Sequence, residues 1–400
     1  MSLMSRSTIL DNVFMNIILN FFPYTDKVFK PKEPPWITKG SKDLYNSYRR
    51  KYKKIAKKGY PIEEKPQMDA LKSEYSNLIK NNKEKHLKSL GAAIANPQSG
   101  PKKYWTAMRK LLKKKITSVI PPILFNGLFI FSSGEKGSIF NEYFKDHCTT
   151  LVTSSTLPPL TKSTNLSLNK ITFNEQSILN HIKKLNVSKA HGHDSISIRM
   201  IKMGGRSIAR PLFIIFKNCI AKGYFPKKWK MANVIPVYKK KERNLITNYR
   251  PVSLLPIFGK LFEKVIFDSL YPYIFNNKFI SDKQSGYRRG DSTVKQLLSI
   301  THEIYKAFGE SQEIRAVLLD ISRAFDRVWH EGLIFKLKRI GIEDEAINIL
   351  SSFLADRKQR MVIHGTSSEW TGIGSGVPQG SILGPFIFGL YKRLKGEGPP

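Results

Sequence analysis

The chain has 400 residues, enough for two to four domains or one multi-lobed enzyme, and an apolar content of 41% marks it as globular rather than disordered. Its 67 Lys and Arg outnumber 31 Asp and Glu, for a formal net charge of +36. This excludes a neutral fold with no polyanionic partner and leaves nucleic-acid phosphates or an anionic membrane surface. Cys148 and Cys219 alone make no disulfide framework, so an intracellular chain with no disulfide partner is expected, in nucleus or cytoplasm.

The first apolar stretch, Ile9 to Phe22, is broken by Asp11, Asn12, Asn16 and Asn20. It is shorter than the roughly 20 apolar residues of a spanning helix, and no small-residue cleavage site follows it. No membrane partner and no signal peptide are expected, which leaves nucleic acid. Residues 1–115 hold 26 basic and 9 acidic side chains, about twice the excess per residue of the remainder. Within 36–115, Leu44, Tyr45, Tyr48, Tyr52 and Ile55 keep helical spacing, as do Leu71, Tyr75, Leu78 and Ile79, then Tyr104, Trp105, Met108, Leu111 and Leu112. Three basic helices are predicted, broken at Gly59-Tyr60-Pro61 and between Asn96 and Pro101. Their charged faces read either as solvated surface or as phosphate contacts. Ser118 to Thr164 reads as a connector of short strands and turns, with a linker at Thr153 to Thr164.

From Thr172 the pattern is denser. Phe173, Ile178, Ile182 and Leu185 predict a short helix, Ile198 to Phe216 a longer one, and Val234 to Tyr238 a strand that runs into Lys239-Lys240-Lys241. Residues 201–250 hold 13 basic and 1 acidic side chain, whereas 301–350 hold 7 and 9. An acidic island in a basic protein is what a cation-assisted phosphoryl site requires, and also what a chance fluctuation produces. Val317 to Leu319 reads as a buried strand ended by Asp320. That carboxylate suits a metal ligand at a sheet rim, but the segment by itself favours an N-cap of the helix expected after Ala324, since Asp is common at that position. The aromatic ring of Phe325 follows five residues on. In Gly374 to Pro385 the glycines permit close backbone approach and Gln379 beside Gly380 offers a donor and an acceptor, although a plain strand-to-helix turn also explains the glycines. Arg250, in Asn248 to Pro256, with Lys239 to Lys241, suits a triphosphate or solvent. Gln284 to Thr293 is a glycine-bounded loop whose Ser292-Thr293 can start a helix. His191 and His193 lack further zinc ligands at suitable spacing.

In their order, Lys189 to Ile196, Trp229 to Lys239, Asn248 to Pro256, Gln284 to Thr293, Val317 to Val328 and Gly376 to Pro385 together resemble the reverse transcriptase domain of non-LTR (LINE-like, jockey-type) retrotransposons. A host maturase or telomerase-like relative fits the block spacings less well. The resemblance covers roughly residues 170–391 and implies an α+β fold: right-hand polymerase fingers plus a partial palm, preceded by a basic, mainly helical segment. The organisation expected is a basic helical linker region at 1–117, a connector at 118–169, the reverse transcriptase domain at 170–391 and a divergent tail at 392–400. Asp320 would be a metal-binding carboxylate with the backbone of Ile321 beside the second ion, the cofactor being Mg²⁺. Phe325 would be the steric gate against a 2′-OH. Gln379 and Gly380 would meet the incoming nucleotide and template, Arg250 with Lys239 or Lys240 would hold its triphosphate, and Lys189, Gly286 and Arg288 would contact nucleic acid. The partners implied are an RNA template, a DNA primer or target, and dNTPs.

The family's aromatic-x-Asp-Asp turn is not present, and no two Asp residues are adjacent anywhere in the chain. The stretch after Tyr391 departs from the family pattern, and the thumb and a preceding endonuclease are expected to be absent. The expectation is therefore a fragment of an RNA-directed DNA polymerase with negligible activity and a tendency to aggregate. The alternative is a non-catalytic nucleic-acid-binding remnant.

Overall fold

The computed structural model describes residues 33–112 except 58, 60, 97 and 99, then 120–148 and 157–392, and the isolated residue 16. The apolar stretch at 9–22, apart from residue 16, part of the 153–164 linker and the tail from 393 lie outside the described residues. Among those described, no helix is long and apolar enough to cross a membrane. The chain divides into two compact units, residues 24–118 and the remainder.

The smaller unit is helical. Helices α1 (Lys39–Lys57), α2 (Lys65–Ala95) and α3 (Pro101–Leu111) realise the three predicted from apolar spacing, and proline at the first turn starts both α2 and α3. Burial is sparse: α1 sinks Ser41 and Ile55, and Tyr45 of α1 packs on Tyr75 of α2 at 5.4 Å between ring centroids.

The larger unit begins with a hairpin, β1 (Ile123–Phe125) and β2 (Leu128–Ile130), and helix α4 (Ser133–His147). The segment read as a connector is thus partly built into the fold, because Phe140 and Phe144 lie four residues apart on one helical face and are buried against Val234, Tyr249 and Met361. Helix α5 (Glu175–Lys184) is closed at its start by a capping box of Asn174 and Ser177. Helix α6 (Ile198–Ala221) is interrupted at Gly205, whose φ of 47° is outside helical range, and α7 (Lys227–Lys230) leads into β3 (Met231–Tyr238). Strand β4 (Tyr249–Leu254) returns antiparallel, and helix α8 (Ile257–Asn276) follows. Then come α9 (Thr293–Gly309), α10 (His330–Arg339), α11 (Asp344–Leu354), strands β5 (Arg357–Ile363), β6 (Thr366–Ser367) and β7 (Thr371–Ile373), and α12 (Leu383–Lys392). Ser292 does cap α9, its Oγ accepting from the Lys295 N–H at 3.2 Å.

The main sheet runs β4-β3-β5-β6, with β7 also on β5, and β3 pairs parallel to β5. Its inner face meets α4. The larger core gathers α5, α6, α8, α10, α11 and α12 around Phe216, Phe225, Trp229, Phe258, Phe262 and Phe353. Phe216 stacks on Phe262 at 4.7 Å.

One strand expectation is corrected. Residues 312–321 adopt no regular structure, and Val317, Leu318 and Leu319 are 83, 96 and 89% exposed instead of buried. A run apolar on both sides makes a strand only when neighbours supply both a ladder and two covering layers. Among the described residues no strand pairs with it. Asp320 therefore stands neither at a sheet rim nor at a helix N-cap: the chain passes through turns at 322–327, and α10 starts only at His330.

Candidate functional site

The loop from Gly374 to Ile382 is held by backbone hydrogen bonds on several sides. Val377 N–H donates to Phe325 O at 2.8 Å, Gly376 N–H to Val328 O at 2.9 Å, and Ser253 N–H on β4 to Gln379 O at 2.8 Å. His330 Nε2 lies 2.7 Å from Gly376 O; since a carbonyl only accepts, Nε2 carries the proton. At the far end the Glu263 carboxylate, from α8, accepts from Ile382 N–H at 2.6 Å and Leu383 N–H at 3.1 Å, capping α12. Two glycines allow this closeness. Gly376 has φ +81° and a Cβ there would lie 2.6 Å from Asp326 O; Gly380 has φ +139° and a Cβ would collide with Ser253 O.

Gln379 Nε2 donates to Asp326 Oδ1 at 3.0 Å, and Ser375 Oγ donates to Asp326 O at 3.1 Å or to Cys148 O at 2.5 Å. These groups border a small cleft of about 40 Å³, open to solvent, whose other walls include Lys230, Ser253, Arg357, Lys358 and Gln359. Burial pushes the Asp326 carboxyl up from its ordinary value, with the Gln379 bond opposing. Burial, then the nearby Asp326 carboxylate, pushes the Cys148 thiol up to about 12, so it is not a ready nucleophile. Lys230 Nζ donates to Ser352 O at 2.9 Å and Ala355 O at 2.7 Å, and burial brings its ammonium down to about 8.

His147, at the end of α4, is 7% exposed and its Nε2 has no hydrogen-bond partner. Burial first, then Arg323 and Arg327, lower it to about 4. A depressed histidine contributes stability above its unfolded value near 6.5 and loses it as pH falls toward the folded value. The urea midpoint is expected to drop between pH 6.5 and 4, by a contribution of about 2 kcal/mol. His147→Phe, measured over the same range, is expected to show a shallower fall.

The structure brings together only part of the predicted set. Gln379 lines the cleft and Gly380 follows it in the loop, whereas Phe325 is not part of the lining and is half-buried against the larger core, stacked on Phe388 at 4.7 Å and edge-on to Tyr287 at 6.0 Å. Asp320 and Ile321 lie on the exposed 312–321 stretch. Lys239 and Lys240 follow β3, and Arg250 sits opposite Val237 on β4; all three are exposed and border no part of the cleft. Arg250 also points to the opposite sheet face from Ser253, three residues along the strand. Lys189 is exposed, in the loop where Gly192 packs so tightly that a Cβ would lie 2.5 Å from Pro256 N. Gly286 O accepts from Gln284 Nε2 at 3.1 Å, and Arg288 donates to Asp282 O at 3.3 Å. Its neighbour Arg289 reaches Asp268 at 2.8 Å and lies over Tyr271 at 4.6 Å. Burial raises Asp268, but hydrogen bonds from His181, Lys264 and Arg289 outweigh it and hold the carboxyl well below the usual range.

For the implied Mg²⁺ the residues do not fit. Among the described residues no three of His, Cys, Asp and Glu are placed to hold a metal ion, and Asp320 is exposed on an unpaired stretch. Hard divalent ions need several oxygen ligands at once.

Sequence reasoning passed over Asp326, Glu263 and Arg357. Glu263 carried a signal: it is four residues after Gly259 and three before Ile266, both on the buried stripe of α8, so a carboxylate there must be inward and partnered. Asp326 and Arg357 carried none, since their burial depends on contacts distant in sequence.

Residues 238–392 match the family model described as reverse transcriptase (RNA-dependent DNA polymerase). The chain is 34% identical over 217 residues to a probable RNA-directed DNA polymerase from transposon BS of Drosophila melanogaster, covering 54% of this chain and 24% of that protein. It is 35% identical over 228 residues to the RNA-directed DNA polymerase from mobile element jockey of the same organism, covering 57% and 25%. It is 28% identical over 297 residues to a probable RNA-directed DNA polymerase from transposon X-element, covering 72% and 32%. The chain thus spans a quarter to a third of the length of these relatives. With the loop from Gly374 folded onto Phe325 and Asp326 inside the matched region, residues 238–392 carry reverse transcriptase sequence, and the chain is similar there to the polymerases of jockey and related mobile elements.

Proposed function

We propose that the larger unit is the fingers and partial palm of an RNA-directed DNA polymerase, and that its cleft is the nucleotide-handling part of the site. The observation that carries this reading is the seating of Gln379 between Asp326 and Ser253, because it draws three separate sequence blocks to one wall. Lys230, Arg357 and Lys358 line the cleft with one carboxylate, Asp326, and although Lys230 is bonded to Ser352 O and Ala355 O and Arg357 is opposed by Glu263, the excess of cationic residues suits an anionic ligand. In this reading Gln379 reads or orients the nucleotide, Phe325 limits the space at its sugar, and Arg250 with Lys239 and Lys240 supplies a cationic approach from the strand pair. RNA template, DNA primer and dNTPs are the proposed partners.

The test is binding of a fluorescent dNTP to the purified chain, with template–primer present. Gln379→Ala is expected to weaken binding about tenfold, the scale of one lost charge-assisted hydrogen bond. Unchanged affinity in Gln379→Ala and in Arg250→Ala would overturn the nucleotide assignment. Primer extension by the 400-residue chain is expected to be negligible, because Asp320 stands without the companion ligands a divalent ion needs. Robust extension that Asp320→Asn abolishes would refute that expectation of inactivity.

A further inference from the structure

Helix α1 carries eight basic residues and one acidic residue in 19 positions. They are sorted by face. Ser41, Leu44, Tyr48, Lys51 and Ile55 turn inward, where Lys51 Nζ donates to Gln67 at 2.7 Å, while Lys42 pairs with Glu33 at 2.5 Å. Arg49, Arg50, Lys53, Lys54 and Lys57 are exposed, and among the described residues none of them has a carboxylate partner. Arg49–Lys53, Arg50–Lys54 and Lys53–Lys57 are like charges at i,i+4, an arrangement that destabilises a helix standing alone. The neighbouring α2 is different: its six lysines are interleaved with Asp69, Glu74 and Glu84. A bound polyanion converts the repulsion on α1 into attraction.

The shape of the patch narrows the ligand. Arg49 to Lys57 spans about 12 Å at the helical rise. Over that length a nucleic-acid duplex presents roughly seven phosphates. Unstacked bases need free aromatic platforms. Here Tyr45 and Tyr52 keep 44 and 39% exposure, but each already has a tilted ring neighbour, Tyr75 at 5.4 Å and Tyr48 at 6.2 Å, so they are partial platforms at most. We propose that the Arg49–Lys57 face of α1 is a sequence-independent docking site for the phosphate backbone of a nucleic-acid duplex. It belongs to a unit that contributes no residue to the cleft, and it does not rest on the polymerase reading.

The test is anisotropy of the full chain with a labelled RNA duplex, a DNA duplex and a single strand of equal length, titrated with salt. Arg49→Gln/Arg50→Gln/Lys53→Gln/Lys54→Gln is compared with Lys72→Gln/Lys80→Gln/Lys85→Gln/Lys88→Gln on α2, which removes the same charge. The α1 variant is expected to reduce the slope of log affinity against log salt by up to about 3.6, at roughly 0.9 for each of four duplex phosphate contacts, and the α2 variant by less than about 1. Loss on one duplex and not the other supports the site and identifies its source. Equal losses in the two variants would show a diffuse field and overturn the site. Single-strand binding as tight as duplex binding, and equally sensitive to the α1 variant, would overturn the duplex assignment. Circular dichroism separates this from misfolding: Gln is a good helix former and the i,i+4 repulsions are gone, so helicity is expected to hold or rise.

Discussion

Glu263→Ala will lower the unfolding free energy of the larger unit by about 3–5 kcal/mol, the range for removing one partner from a buried charged network. Glu263 is 1% exposed, and its carboxylate is the acceptor for Ile382 and Leu383 N–H at the start of α12. Burial pushes that carboxyl up, and the two N–H donors together with the cations Arg357 and Lys260 oppose the push. Arg357 is itself 5% exposed and is lowered to about 10 by burial, with Glu263 opposing. Alanine leaves two orphaned donors and a buried guanidinium that keeps its hydrogen bond to Phe353 O, at 3.0 Å, but loses its carboxylate neighbour. Against a typical stability of about 5–15 kcal/mol this is a large fraction. Glu263→Gln keeps an oxygen acceptor and is expected to lose less. Urea denaturation of the two variants checks both statements, and a Glu263→Ala midpoint equal to wild type would show that the capping contacts do not form.

Gly380→Ala is the second large effect, and it acts on the site as well as on stability. The backbone at φ +139° disfavours any side chain, and the new Cβ meets the Ser253 carbonyl oxygen of β4. Strain and overpacking together are expected to cost about 3 kcal/mol. Relief requires the loop to retreat from β4, which breaks the Ser253 N–H to Gln379 O bond and pulls Gln379 from Asp326. dNTP affinity is therefore expected to fall more than in Gln379→Ala, with a larger drop in thermal midpoint than the loss of the Asp326 bond alone causes in Gln379→Ala. Gly376→Ala, against Asp326 O, is expected to act in the same direction.

Several elements could be read from local chemistry alone. The apolar, β-branched run Val234 to Tyr238 became β3, Ser292 became the cap of α9, and the glycines of Gly374 to Pro385 became a tight turn leading to α12. Each rests on a β-branched run, a cap or a permitted φ, all of which act within a few residues. The stretch at 317–319 shows where local reading fails. Its apolar run predicts a strand, but a strand exists through its neighbours, and among the described residues none is paired with it. Helix α4 was missed in the opposite sense, since Phe140 and Phe144 gain their burial from a sheet whose strands lie about a hundred residues later and more.

The sequence by itself carried the reverse transcriptase match of residues 238–392, the charge and its uneven distribution, because ordered blocks and side-chain charges do not depend on packing. Only the tertiary structure decided which acidic groups are enclosed. Asp320, singled out by its motif, is exposed, while Asp326 and Glu263 are buried against Gln379 and the start of α12. The environment of a carboxylate is set by desolvation and by hydrogen-bond donors that the fold brings from distant parts of the chain.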